Sequence, residues 1–273
     1  MQPPLARLSV HTITTKPWSL RQCVDGYRAA GVAGITVWRQ ALQPQGVDES
    51  RRMLADSGLT VTALCRGGFF VAPDDAGRQA ALDDNRRAID EARAIGAPMV
   101  VLVCGARPEV PIADGRRQVA EAIAAIAPHA RAAGVRLAIE PLHPMYADTR
   151  SAITTLRQAR LLCAALGDAN VGVAVDVYHV WWDPDLEAEI AALGAERRLF
   201  ALHLCDWIPE PRHLLNDRGL PGEGCARPRR IRALCESAGF AGFNEIEIFS
   251  DRRWAMDQGD NLRDTVAAYL ASG

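Results

Sequence analysis

Lysine is nearly absent from this chain of 273 residues, because only one of its 31 basic residues is a lysine, Lys16. Schiff-base catalysis requires a lysine amine that burial or a neighbouring charge can activate. A class I aldolase or a pyridoxal-phosphate enzyme would therefore depend on Lys16 alone. We set both classes aside.

Paired cysteines and nucleotide-binding loops are also missing. The seven cysteines are an odd number, lie far apart and form no C-x-x-C pair, which argues against a disulfide framework and a zinc ribbon. Most have apolar neighbours, as reduced buried cysteines do. No G-x-x-x-x-G-K-[ST] motif is present, so binding of nucleoside triphosphates is not expected.

Neither a long apolar run nor a strong net charge is present. No run approaches the roughly 18 apolar residues that a membrane span requires, and residues 1–8 lack the basic and apolar segments of a signal peptide. We therefore expect no membrane partner and a cytoplasmic location. The formal charge of −2 argues against a nucleic-acid partner. A homo-oligomer stays open.

Short strand-like runs alternate with longer stretches of helical spacing along the whole chain. The predicted strands are residues 8–13, 35–38, 60–64, 99–104, 136–140, 171–176, 200–205 and 243–249. The predicted helices are residues 19–30, 48–57, 77–95, 114–133, 148–166, 184–193, 228–238 and 261–271.

Eight strand–helix units in about 270 residues are typical of an α/β fold, a closed (β/α)₈ TIM barrel. A doubly wound sheet is the alternative. No linker or change in composition marks a boundary, so we predict one domain over residues 1–273. The longest irregular stretch, residues 207–227, follows the seventh strand at the end of the barrel where catalysis occurs.

Four consecutive predicted strands each end in a side chain of a type that binds metals. In a barrel, alternate residues of each strand point inward, and those at the carboxyl ends face the mouth. This alternation places four residues at the mouth, namely Glu140, Asp176, His203 and Glu247. Glu245 shares the alternation of Glu247 one layer deeper and stays an alternative ligand, or a partner for an arginine.

Convergence of these four groups predicts one bound divalent cation. A carboxylate buried in the barrel mouth costs several kcal/mol unless it is paired or bound to a cation. Three carboxylates and one imidazole favour Mn²⁺, with Mg²⁺, Co²⁺ or Zn²⁺ as alternatives.

Other polar and aromatic residues are predicted in loops at the same mouth. His143 is a candidate base or substrate contact, and Arg66 is expected either to bind a substrate oxygen or to pair with a barrel carboxylate. Gly67 and Gly68 permit a positive φ or a close approach. Aromatic rings at the mouth, Trp181 among them, either stack on a sugar or pack loops. The predicted substrate-binding residues are Arg66, His179, Asp206, Arg218 and Trp181.

The chain resembles the sugar isomerase/epimerase superfamily of xylose isomerase-like barrels. That superfamily also contains endonuclease IV-type enzymes, inosose isomerases and dehydratases, and C-glycoside deglycosidase subunits. The resemblance is carried by residues 64–70, 84–88, 139–144, 176–179, 203–207, 217–219 and 245–249. It implies that the four residues above hold the family's metal, and that Glu140 and Glu247 are also the acid/base pair. His179 resembles the family's second histidine, which ligates or orients.

The predicted function is a metal-dependent isomerase or epimerase of a small carbohydrate, a ketose, keto-sugar or inosose, acting through an enediolate. In this hypothesis Glu140, Glu247 and His143 are catalytic. The alternative keeps the site but performs β-elimination, as a dehydratase or as a lyase of a keto-glycoside, with His143 as the base. A third hypothesis is a metal-free barrel that serves as a binding or partner subunit.

Overall fold

The computed structural model describes residues 5–272, and its centre is a closed barrel of eight parallel strands. Around the barrel the order is β1, β10, β7, β6, β5, β4, β3 and β2. These strands are β1 (Leu8–His11), β2 (Gly34–Trp38), β3 (Thr60–Gly68), β4 (Met99–Val103), β5 (Arg136–Glu140), β6 (Val171–Asp176), β7 (Leu199–Leu204) and β10 (Asn244–Ile246). The predicted TIM barrel is confirmed.

Helices follow the strands and cover the outside of the barrel. The longer ones are α1 (Leu20–Ala29), α2 (Gly46–Ala55), α3 (Asp75–Ala94), α4 (Ile112–Ala133), α5 (Leu156–Leu166), α7 (Leu186–Ala195), α8 (Pro228–Ser237) and α10 (Gln258–Ala271). Two single turns, α6 (Val177–Val180) and α9 (Asp251–Trp254), follow β6 and β10. No helix within residues 5–272 is both long enough and apolar enough to cross a membrane.

The largest differences between prediction and structure lie in two segments. The helix predicted from residue 148 begins at Leu156, because Thr155 supplies the N-terminal cap by accepting a hydrogen bond from the Gln158 N–H. Residues 147–155 instead form a loop at the barrel mouth. The long stretch after β7 contains a two-stranded antiparallel ribbon, β8 (Asp206–Trp207) and β9 (Arg218–Gly219), which was not predicted.

The interior of the barrel is lined by small residues below the mouth. Ala138, Ala174 and Ala201 each precede a predicted ligand by two positions and belong to one buried apolar cluster. Because alanine takes little space, the longer side chains above can converge on the barrel axis.

The carboxyl end of β3 passes unusually close to β4. Gly68 has φ +103°, and a Cβ atom there would lie in contact with the backbone of Val103. The Asn85 side chain fastens this turn, because its Oδ1 accepts from the Gly68 N–H at 2.6 Å and its Nδ2 donates to the Gly68 carbonyl at 2.8 Å. A glycine is therefore required at this position.

Replacing Gly68 by Ala is expected to destabilise the protein by about 3 kcal/mol, through the unfavourable φ and the overlap with backbone. Gly96 is the matched control, since its φ is +76° but no atom lies within 4 Å of a Cβ there. Gly96→Ala is expected to cost only about 1 kcal/mol. Urea unfolding of both variants measures the difference, and equal losses would contradict the argument.

Candidate metal centre

The four predicted ligands lie together at the mouth of the barrel. One nitrogen or oxygen from each of Glu140, Asp176, His203 and Glu247 lies within 4.8 Å of the others, and all four side chains are buried. The register of the barrel strands explains part of this proximity, because Asp176 of β6 and His203 of β7 are directly paired. Two ligands about 2.1 Å from one ion are at most about 4.2 Å apart, so small side-chain adjustments suffice for a shared cation.

Several buried polar atoms in this cluster have no hydrogen-bonding partner. They include Glu140 Oε1 and both ring nitrogens of His203. Glu140 Oε1 lies 2.9 Å from His203 Nδ1, but without hydrogen-bonding geometry. Buried polar atoms are rarely left without partners in proteins. These side chains therefore fit a cation that would take their free electron pairs.

Arg218 lies against the same carboxylates. The residue is only 3 % exposed, and its Nη1 lies 2.9 Å from Asp176 Oδ2 and 2.7 Å from Glu247 Oε2. Its Nη2 lies 3.3 Å from His179 Nε2, and its Nε has no partner. The sequence placed Arg218 on a long loop as a candidate substrate contact. The structure places it within the acidic cluster, where it offsets part of the negative charge.

The charges of the cluster shift the pKa values of its members. Burial raises the pKa of the Asp176 carboxyl to about 7, partly opposed by Arg218 and reinforced by Glu247. Burial also raises the pKa of the Glu247 carboxyl, but contacts with Arg218 and His11 outweigh burial and lower this pKa well below its usual value. For His203, burial lowers the pKa, but contact with Glu140 and the charges of Glu247 and Glu245 together outweigh burial and raise the pKa to about 10. The carboxylates thus favour positive charge at this point, and a cation bound there would displace the His203 proton.

A second polar layer lies beneath the four residues. Glu245 Oε2 accepts hydrogen bonds from the hydroxyls of Thr36 at 2.6 Å and Thr62 at 2.9 Å. These hydroxyls, not an arginine, satisfy Glu245. His11 connects the two layers, with Nδ1 3.1 Å from Glu247 Oε1 and Nε2 3.7 Å from Glu245. The sequence did not predict this connecting role of His11.

His143 and His179 lie on the side of the cluster that faces the loops. His179 Nε2 is 3.6 Å from Asp176 Oδ2, and its Nδ1 accepts from the His143 backbone N–H at 3.3 Å. The His143 ring stacks on Trp207 with the centroids 5.1 Å apart. Burial lowers the pKa of His143, so its imidazole is neutral at pH 7 and able to accept a proton.

Two of the predicted substrate contacts lie elsewhere. Asp206 is 1 % exposed, and its carboxylate accepts from the backbone N–H groups of Trp207, Gly222 and Ala226. It stabilises the loop. Trp181 packs against Trp207 and lines a cavity of about 280 Å³ beside α7 and α8. The structure thus brings neither side chain to the four clustered residues, and substrate binding by Asp206 and Trp181 stays a prediction.

Arg66 lines a cavity of about 560 Å³ that also touches Trp38, Arg150 and Phe249. Two walls of this cavity adjoin the acidic cluster, because the Trp38 Nε1–H donates to His11 at 3.2 Å and Arg218 lies over the Phe249 ring at 4.9 Å. Within residues 5–272, Arg66 pairs with no carboxylate, contrary to one of the two expectations for it. The sequence did not single out Arg150.

Comparison with known proteins gives both functional and structural relatives. The inosose isomerase of Halalkalibacterium halodurans is 24% identical over 243 residues, which cover 88% of this chain and 84% of that protein. The crystal structure of protein SMc04130 from Sinorhizobium meliloti 1021 is 45% identical, with a TM-score of 0.96 over 98% of this chain and 99% of that chain. The IolI protein, solved with a zinc atom, has 17% identity and a TM-score of 0.86, with 97% of each chain covered.

The profile of the xylose isomerase-like TIM barrel family matches residues 24–271. That match includes the carboxyl-terminal ends of β5, β6 and β7 and the segment after β10, from which the four clustered side chains project. Sequence, barrel topology and solved relatives thus agree, and this chain belongs to the xylose isomerase-like TIM barrel family.

Proposed function

We propose that this protein is a divalent-metal-dependent isomerase or epimerase that acts on a small carbohydrate, a ketose, keto-sugar or inosose, through an enediolate. The observation that carries the proposal is the buried cluster of Glu140, Asp176, His203 and Glu247, whose ligand atoms lie within 4.8 Å of one another and of which Glu140 and His203 have unpaired atoms. The name of the inosose isomerase relative supports the substrate class.

The four clustered residues are proposed to hold the ion. Oxygen ligands with one nitrogen suit Mn²⁺, and Mg²⁺, Co²⁺ or Zn²⁺ fit the same donors; the zinc in the IolI structure supports a divalent metal in this fold. When bound, the ion supplies Lewis-acid polarisation of the substrate carbonyl and of the enediolate oxygen.

Glu140 and Glu247 are proposed to move the proton. Glu140 lies at the end of β5 and Glu247 follows β10. Around the barrel, β6 and β7 lie between these two strands. A substrate between them would present one face to each carboxylate. One carboxylate would remove the proton α to the carbonyl, and the other would return a proton, which inverts or relocates the stereocentre.

Arg218 and His179 are proposed to orient the substrate oxygens. The Nε–H of Arg218 has no partner and would donate to a substrate oxygen. His179 is buried, and burial together with the charge of Arg218 lowers its pKa. A neutral imidazole at this position is able to accept or donate a hydrogen bond to a hydroxyl group.

β-Elimination is the second candidate, because His143 supplies a neutral base outside the four clustered residues. Product analysis separates the two reactions. An epimerase exchanges the α-proton with solvent without losing water or an aglycone, whereas a dehydratase or lyase releases one of these.

We expect incorporation of solvent deuterium at the α-carbon of at least one member of a panel of ketoses, keto-sugars and inososes, in the presence of Mn²⁺. The physical reason is that a proton held on Glu140 or Glu247 exchanges with solvent before it returns to carbon. Proton NMR in D₂O measures the exchange. Removal of divalent ions with EDTA is the control and should abolish it, and exchange that persists without metal would contradict the proposal.

A further inference from the structure

Two arginines in the cavity beside the candidate metal centre lack any acidic partner. Within residues 5–272, neither Arg66 nor Arg150 forms a side-chain hydrogen bond or an ion pair, and the Nε of Arg150 is buried without a partner. Their guanidinium carbons lie 3.9 and 5.9 Å from the centroid of the same ring, Phe69. Both positive charges thus lie against one aromatic ring, and neither is paired with a carboxylate among the described residues.

The other charges of this cavity are already satisfied. Arg39 binds Asp84 through Nη1 at 2.8 Å and Glu91 through Nε at 2.6 Å. The only carboxylates that line the cavity are therefore held by a third arginine on its wall. Among the lining residues that the structure describes, three cations face two anions, and the unbalanced positive charge belongs to Arg66 and Arg150.

The backbone holds both arginines in place. Arg66 is the extra residue in β3, because the pairing with β4 passes from Cys65 to Gly67, and a bulge redirects the side chain at its position. The Arg150 carbonyl accepts from the Gly105 N–H at 2.8 Å, and the Arg150 N–H donates to Tyr146 at 2.9 Å. Backbone contacts thus fix the positions from which both side chains reach the Phe69 ring before any ligand binds.

Leaving these two charges together has an electrostatic cost. Burial, followed by the charge of Arg150, lowers the pKa of Arg66 to about 10, which still leaves it protonated at neutral pH. Burial also lowers the pKa of Arg150, with a further contribution from the charge of Arg218 that Glu140 and Glu247 oppose. A neutral polyol would not offset the repulsion, whereas an anion with several oxygens would form charge-assisted, bidentate hydrogen bonds with both.

We propose that Arg66 and Arg150 form an anion-binding site for one end of the substrate, so that the substrate is a keto-polyol carrying a carboxylate or phosphate group. The other end of the substrate, which carries the reacting carbonyl, is taken from the proposed function, and this inference rests on it. Carboxylate and phosphate groups share one chemical feature, an oxyanion, which would lie at the end of the substrate remote from the reacting carbonyl.

The test is calorimetric titration of inorganic phosphate and acetate into the full chain after EDTA treatment, so that no metal competes for the anion. Acetamide is the neutral match for acetate. At least one anion is expected to bind the wild type, and its affinity should fall at least tenfold in both Arg66→Gln and Arg150→Gln. Arg229, an exposed arginine on α8, provides the control variant Arg229→Gln, which should bind like the wild type.

Binding of phosphate alone would support a phosphorylated substrate, and binding of acetate with equal or greater affinity would support a sugar acid. Three results would overturn the inference. The first is that the wild type binds neither anion, and the second is that it binds acetamide as well as acetate and does not bind phosphate. The third is that both glutamine variants keep normal affinity. Because the titration requires no turnover, its failure leaves the deuterium-exchange test of the proposed function intact. The two glutamine variants are independent, so misfolding of one does not prevent the test.

Discussion

Replacing Glu247 or Glu140 by Gln is expected to lower turnover by about 10³-fold or more, since general acid–base catalysis alone contributes roughly 10²–10⁴-fold and each side chain is also a proposed ligand. Glutamine keeps the size of the side chain but neither accepts the α-proton nor carries a charge for the cation. The measurement is the rate of isomerisation and, separately, the rate of α-proton exchange with solvent.

The matched control is His129→Ala. His129 lies on α4 and pairs with Asp90 at the surface, with Nε2 and Oδ1 2.8 Å apart, so its loss should leave turnover within about twofold, as surface changes usually do. Near-normal activity in both glutamine variants would remove the proton-transfer roles from Glu140 and Glu247.

Replacing Arg218 by Met should have the second large effect, on stability. Its guanidinium group lies between Asp176 and Glu247 in a fully buried position. Removing one partner of a buried ionic cluster costs about 3–5 kcal/mol because the remaining charges stay uncompensated. We expect a loss of about that size in the free energy of unfolding of the metal-free protein.

The same variant should respond more strongly than the wild type to Mn²⁺. A cation that binds only the folded protein stabilises it, and the carboxylates released from Arg218 would bind that cation more tightly. Urea unfolding with and without Mn²⁺ measures both effects, with Arg229→Met as the control for loss of a surface arginine. Wild-type stability of Arg218→Met without metal would show that Arg218 does not neutralise the cluster.

The positions of the clustered side chains were predictable because two local rules determine them. Alternation along a strand fixed the inward direction of Glu140, Asp176 and His203, and the closed barrel brought their strand ends together. The choice between Glu245 and Glu247 depended on where the last strand ends. In the structure Glu245 accepts from threonine hydroxyls and lies with His11 and His203 in a second group that could hold a metal, whereas Glu247 lies with the other three predicted ligands.

Side chains on the loops were harder to predict because their positions depend on contacts distant in sequence. Arg218 reaches Asp176 and Glu247 from a ribbon that pairs with the segment following β7. The helix predicted over residues 148–166 includes Arg150. The helix begins after Thr155 instead, which leaves Arg150 on the mouth loop, where Gly105 binds its carbonyl.

The unpaired charges at Arg66 and Arg150 were likewise invisible in the sequence. An arginine after a strand has no feature that distinguishes a ligand contact from a structural ion pair, and the sequence analysis left both open for Arg66. The distinction depends on which acids lie within reach. Here the nearby acids Asp84 and Glu91 are held by Arg39, which is a property of the folded cavity.

Anomalous diffraction from crystals soaked in Mn²⁺ tests the central claim most directly. We predict one peak per chain at the barrel mouth, with a ligand atom from each of Glu140, Asp176, His203 and Glu247 at about 2.0–2.4 Å. A peak bound elsewhere, or no peak among these four side chains, would contradict the proposed metal centre.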